Sequence, residues 1–188
     1  MLVVVRHGRT AANAGGLLLG RADPPLDEHG RAQAAALAPA VADATRVVTS
    51  PLRRARETAA ALGLPVEVDD RWVELDYGEL DGRPIADVPA DLWRAWRADV
   101  AFAPPGGESL AALGRRVRAA CEDLATEAAE ADVVVVSHVS PIKAAVAWAL
   151  GVGDDLSWRL HVTPASVTRI AVRDGGGVLT SFNWTVSP

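Results

Sequence analysis

Residues 1–13 read MLVVVRHGRTAAN, and this stretch decides the fold. Leu2 to Val5 is a run of four apolar residues, three of them β-branched, too short for a helix and suited to a buried strand. It stops at Arg6-His7-Gly8, and small and polar residues then turn the chain toward a helix. Charged and titratable groups are thereby placed at the carboxyl end of a strand, where open α/β sheets bind their ligands. A neutral imidazole is a nucleophile at pH 7, and a neighbouring guanidinium offers several donors to an oxyanion. Gly8 leaves room for a close approach to the backbone, read here as that of a ligand. Thr10 and Asn13 add a hydroxyl and an amide one turn on. Three letters such as RHG are a short pattern, so the rest of the chain must carry the reading.

The 188 residues, 49% of them hydrophobic, suit one domain with a sizeable core. A net charge of −5 gives nucleic acid or an anionic membrane no general attraction. No eighteen-residue apolar run and no leader pattern is present, which points to a cytoplasmic protein. Cys121 is the sole cysteine, so internal disulfides and thiolate metal clusters are excluded, and its helical, alanine-rich setting reads as a small buried hydrophobe. Lys143 is the only lysine, so an anion site is expected to rest on Arg, His and backbone N–H groups. His7, His29, His138 and His161 show no metal-ligand spacing. His29 reads as solvent-exposed, and His161 as structural or surface.

Residues 14–25 form a loop broken by glycines and prolines, with Leu17 to Leu19 and Arg21 placed to wall a pocket. A helix is expected from about Arg31 to Asp43, with Pro39 as an irregularity. Val47 and Val48 form a second strand. A helix follows from Pro51 to Leu62, with Ser50 as its cap, Pro51 at its first position and Arg54 in its first turn near the strand end. Val66 to Val68 is a third strand. Behind it, Glu74, Asp76, Glu79 and Asp81 cluster beside aromatic residues, and one of them suits an acid–base role. Residues 82–107 are irregular around a helical piece at 91–99. Trp93, Trp96 and Phe102 there form either a satellite core or an aromatic lid.

A long helix is expected from Glu108-Ser109 to about Ala131. Val133 to Val136 reads as the central strand of a parallel sheet, apolar on both faces. It ends at Ser137-His138, repeating the strand-then-histidine arrangement of the N-terminus, and a helix runs on to Leu150. Residues 166–172 and 178–184 read as an antiparallel hairpin around Gly175 to Gly177.

The blocks VVVRHGRTAAN, GRADPPLDEHG, TSPLRRARETAAAL, WVELDYGELDG, PGGES and VVVVSHVSPIKA, in this order, resemble the histidine phosphatase superfamily in its phosphoglycerate-mutase-like branch. The resemblance covers nearly the whole chain. It implies a three-layer α/β/α sandwich with a mostly parallel central sheet and a C-terminal antiparallel hairpin, one domain over 1–188, and a candidate lid at 82–107. It further implies His7 as the nucleophile, Arg6 and Arg54 as phosphate ligands, Glu74 as the proton donor and His138 as a second donor to the phosphoryl group. Asn13, Gly20, Arg21 and Val139 complete the implied phosphate and substrate site. Neither a cofactor nor a metal is implied, and the partner is a small phosphorylated metabolite. The resemblance does not choose between monomer and homodimer.

Val139 stands where the family usually has glycine after the second histidine. Leu75-Asp76 follow the acid where the mutases have Arg and His, Leu19 precedes Gly20 in place of a hydroxyl residue, and the region between Glu74 and His138 falls short of the mutases' insertion. These departures remove contacts to a phosphoglycerate carboxylate and favour a phosphomonoesterase over a cofactor-dependent mutase. A non-catalytic phosphate-binding module is a third reading. The filled catalytic positions argue against it, and the form SHVSPIK is similar to acid-phosphatase and α-ribazole-phosphatase-like members.

Overall fold

The computed structural model describes residues 1–173 and 176–186. Its centre is a six-stranded sheet in the order β3-β2-β4-β1-β5-β6. In chain order the strands are β1 (Leu2–Arg6), β2 (Ala44–Thr49), β3 (Val66–Val68), β4 (Asp132–Ser137), β5 (Ser166–Arg173) and β6 (Gly176–Thr185). The first four pair in parallel, and β5 joins β1 antiparallel and carries β6 as a hairpin. The Gly175 part of the expected turn lies outside the described residues.

The helices are α1 (Ala11–Ala14), α2 (Glu28–Ala36), α3 (Arg53–Ala60), α4 (Ala90–Ala98), α5 (Leu110–Glu130) and α6 (Val139–Leu150). Strand alternation sorts β1 into two layers. Leu2 and Val4 join Val133 and Val135 of β4 in the core under α5 and α6, whereas Val3 and Val5 join Val134 and Val136 over Ala55 and Ala59 of α3. All eight side chains are fully buried. At about 1.5–3 kcal/mol for each buried aliphatic side chain, this double-sided burial fixes β1 and β4 at the middle of the sandwich.

Three boundaries differ from expectation. Helix α2 starts at Glu28 because Asp27 accepts the Gly30 N–H (2.7 Å) and caps it. It ends at Ala36, ahead of a 3₁₀ turn (Ala38–Val41) that accommodates Pro39. Helix α3 starts at Arg53, not Pro51, with Leu52 at its cap position and no side-chain cap bond. Ser50 is instead occupied at the active-site end of the sheet.

Gly8 abuts backbone, not ligand space. A Cβ there would lie 2.4 Å from the Gly30 carbonyl oxygen, and one on Gly30 would lie 2.0 Å from that of Arg9. The loop after β1 and the start of α2 touch at bare backbone. This contact fixes the direction in which the chain leaves β1.

Candidate active site

The site forms at the carboxyl ends of β1 and β4. These strands are neighbours in register, Arg6 opposite Ser137, so His7 and His138 leave the sheet side by side. Their ring centroids are 5.0 Å apart. His7 Nδ1 lies 2.7 Å from its neighbour's carbonyl, Gly8 O. A carbonyl only accepts, so Nδ1 carries the proton and Nε2 keeps a free lone pair. Burial pushes the His7 imidazole well below its ordinary value, and the charges of Arg6 and Arg54 push it the same way.

Arg54 is fully buried. Its Nη1 and Nη2 donate to Ala22 O and Gly20 O (both 2.8 Å), and its Nε to His138 Nδ1 (3.2 Å). Arg6 donates through Nη1 to Val162 O (2.6 Å), while its buried Nε has no acceptor among the described residues. Every hydrogen bond recorded for these two guanidinium groups thus ends on a neutral acceptor. Burial pulls the Arg6 pKa down to about 10 and lowers that of Arg54 as well. His138 is also fully buried, its Nε2 2.7 Å from Ser50 Oγ. Its pKa is lowered by burial first and then by Arg54, His7 and Arg6.

Glu74 separates from its acidic neighbours. Its carboxylate accepts the N–H groups of Leu75 (2.7 Å), Val139 (3.0 Å) and Ser140 (3.1 Å), which places it on the N-terminus of α6. Arg116 grips the Glu108 carboxylate and the Glu74 carbonyl (3.3 Å), fixing the backbone from behind. Asp76 instead accepts the Gly78 N–H, and Glu79 is exposed. Asp81 accepts three consecutive N–H groups, from Gly20, Arg21 and Ala22, at 2.8, 2.8 and 2.7 Å. That carboxylate organises the loop whose carbonyls hold Arg54.

A cavity of about 230 Å³ opens over these groups. Arg6, His7, Asn13, Glu74 and Val139 line it, while Arg54 and His138 stand behind His7 with no exposed surface. Leu17 to Leu19 do wall the pocket, and so does Ile85. Asn13 Oδ1 accepts from the Thr10 N–H (3.1 Å) and hydroxyl (3.0 Å), closing a capping box on α1. Gly20 reaches the site only through its carbonyl. Arg21 is exposed and turns to Asp76 (3.8 Å) and Glu108 (3.6 Å). Lys143 and His161 line the cavity although neither was expected there. For Lys143 a signal existed: it lies four residues after Val139, one turn up the same helix face. For His161, in an irregular loop, no pattern gave notice.

A histidine pair at two strand ends, flanked by the buried Arg54 and the half-buried Arg6, with a carboxylate on a helix N-terminus, defines the class. The chain belongs to the histidine phosphatase superfamily (branch 1), whose family model matches residues 2–185. It is 39% identical over 177 residues to a bifunctional protein of Mycobacterium tuberculosis, covering 89% of this chain and 49% of that one. The chain thus spans about half the length of the first curated relatives it matches. It is 38% identical over 170 residues to the glucosyl-3-phosphoglycerate phosphatase of Mycolicibacterium vanbaalenii, covering 82% and 76% of the two chains. Among solved structures, a mycobacterial glucosyl-3-phosphoglycerate phosphatase in complex with VO3 superposes with a TM-score of 0.88 at 33% identity, covering 98% and 99%. The phosphoserine phosphatase of Entamoeba histolytica in complex with 3-phosphoglyceric acid gives 0.90 at 26%, covering 98% and 96%.

Proposed function

We propose that this chain is a metal-independent phosphomonoesterase that works through a phosphohistidine on a small phosphorylated metabolite. One observation carries the reading: the fully buried Arg54 and the half-buried Arg6 stand beside an imidazole whose Nε2 is unprotonated, and both hydrogen-bond only to neutral acceptors. Guanidinium charge withdrawn from water without a salt-bridge partner is costly, and a phosphate dianion supplies one. The names of the relatives, phosphatases of glucosyl-3-phosphoglycerate and phosphoserine, support the same chemistry.

In the first step His7 Nε2 attacks phosphorus as the ester P–O bond breaks, and Glu74 gives its proton to the departing alkoxide. Arg6, Arg54 and His138 offset charge on the phosphoryl oxygens. In the second step water attacks the phosphohistidine, Glu74 takes the water's proton, and the P–N bond breaks to release phosphate and restore His7. Asn13 adds an amide at the cavity wall. Gly20 acts through Arg54, and Val139 through its N–H on Glu74. In this reading the enzyme works in the cytoplasm, the compartment that holds such metabolites.

The test is chemical trapping. Acid quenching during turnover of p-nitrophenyl phosphate in EDTA is expected to leave no stable acyl phosphate, and alkaline quenching to leave protein-bound phosphate, which marks a phosphoramidate. Loss of turnover in EDTA, or alkali-stable phosphate that persists in His7→Ala, would overturn the mechanism. Added bisphosphoglycerate is expected to elicit no phosphoglycerate isomerisation.

A further inference from the structure

A second cavity, of about 150 Å³, adjoins the first and shares Leu18, Tyr77, Val139 and Lys143 with it. Its other walls include Trp93, Trp96 and Trp158. The three indoles pack together, with centroids 5.5 Å apart for Trp93–Trp96, 5.9 Å for Trp96–Trp158 and 6.0 Å for Trp93–Trp158. The indole N–H groups of Trp96 and Trp158 are buried without an acceptor among the described residues. Lys143 donates once, to Ser157 O at 2.8 Å, leaving two of its three N–H groups uncommitted by any recorded bond.

Three indoles alone suit a cation. Here, however, Arg97 already lies against Trp93 (5.9 Å) and Trp158 (5.7 Å), and Lys143 stands in the same cavity. Both repel a positive ligand, and the uncommitted Lys143 N–H groups call for acceptors.

The charged groups on the cavity walls give the same sign. Arg6 and Lys143 are the Arg and Lys residues that line the joined cavities, and Glu74 is the carboxylate. A phosphoryl group seated at His7 engages Arg6, whereas the recorded bond of Lys143 ends on a neutral carbonyl and leaves its charge for a further anion. Burial also lowers the Lys143 pKa, a cost that a nearby anion offsets.

We infer that Lys143 and the indole wall form a leaving-group subsite for phosphate esters whose alcohol carries a carboxylate. The carboxylate pairs with the Lys143 ammonium, and the carbon frame of the alcohol lies against the indoles. Lys143 is thus a specificity-determining residue, and this assignment rests on the phosphatase reading given above.

A matched pair of esters isolates the charge: 3-phosphoglycerate and sn-glycerol 3-phosphate, which share a three-carbon frame and differ by carboxylate against hydroxymethyl. Hydrolysis is followed by phosphate release, and binding by quenching of tryptophan fluorescence in the intact protein. The unaltered protein is expected to favour 3-phosphoglycerate by about tenfold or more in both kcat/KM and Kd, the worth of a charged hydrogen bond. Lys143→Met and Lys143→Gln are expected to bring that ratio close to one, and Lys143→Arg to keep most of it. A ratio near one in the unaltered protein, or one unmoved by both neutral variants, would overturn the subsite. If neither ester nor p-nitrophenyl phosphate is hydrolysed, the phosphatase reading fails on its own, and the fluorescence ratio still decides the subsite.

Discussion

Arg54 donates its Nε–H to Nδ1 of His138 at 3.2 Å, and this bond determines where His138 keeps its proton. With Nδ1 accepting, the proton resides on Nε2 and is directed at Ser50 Oγ, 2.7 Å away. His7 is held the opposite way, protonated on Nδ1 against Gly8 O. One ring of the pair is therefore a nucleophile and the other a donor, although both are neutral imidazoles. Long-range ¹⁵N NMR is expected to show the two opposite tautomers. Arg54→Lys keeps the charge but loses the Nε donor and the fork; it is expected to mix the His138 pattern and lower kcat/KM by about 10²–10³-fold.

Of Glu74, Asp76, Glu79 and Asp81, only Glu74 lines the cavity. Glu74→Gln is expected to slow hydrolysis of an alkyl phosphate by about 10²–10⁴-fold and that of p-nitrophenyl phosphate far less, because p-nitrophenolate departs with little help. Asp76→Asn should show no such dependence on the leaving group. If it does, and Glu74→Gln affects both esters equally, the wrong carboxylate has been assigned.

Both site histidines are held below their ordinary value. His7 thus stays unprotonated under mildly acidic conditions, and the acid limb of kcat/KM is expected well below pH 6.5. The same shifts tax stability. Below pH 6.5 the unfolded chain takes up protons that the folded chain refuses, so stability falls with falling pH, by at most about 2.7 kcal/mol per pH unit for the pair. Urea titrations at pH 7.5 and 5.5 should show this loss, and His7→Gln with His138→Gln should flatten it.

Asp81 lines neither of the two cavities described above, yet it holds three N–H groups of the loop that in turn holds Arg54. Asp81→Ala is expected to cost about 10–100-fold in kcat/KM by misplacing Arg54. Asp81→Asn, with one acceptor oxygen left, should recover part of that loss. A small drop in Tm with unchanged kinetics would show that the loop holds itself.

How much of this was legible in the sequence depends on which force set each feature. β1 and β4 were read correctly because burial on both faces demands an unbroken apolar run. His7, Arg54 and His138 each stand next to a strand end or helix start, so their placement was legible from the local pattern, whereas Glu74 was set apart from Asp76 by the family resemblance alone. The start of α3 was misread because Ser50-Pro51 is a standard helix opening, whereas the Ser50 hydroxyl is taken up by His138. Gly8 was read as making room for a ligand, but the contact it serves is with Gly30, across a distance in sequence that no local pattern encodes. Lys143 carried a local signal, its place one turn after Val139, but nothing in the sequence gave that signal weight. A lone lysine on an alanine-rich helix looks like a solvated charge until the tryptophans of α4 and the 154–159 turn close around it.

The 5.0 Å between the two histidine rings follows from β1 and β4 being adjacent parallel strands, whose spacing of about 4.8 Å is set by main-chain hydrogen bonds. The reactive gap is thus a dimension of the backbone lattice, and no single side-chain exchange widens or narrows it. Selection for a new ester would have to work on what overhangs that gap, namely loop 17–22, α4 and the 154–163 segment. Laboratory evolution of this chain should therefore accumulate changes there while the histidine pair keeps its spacing.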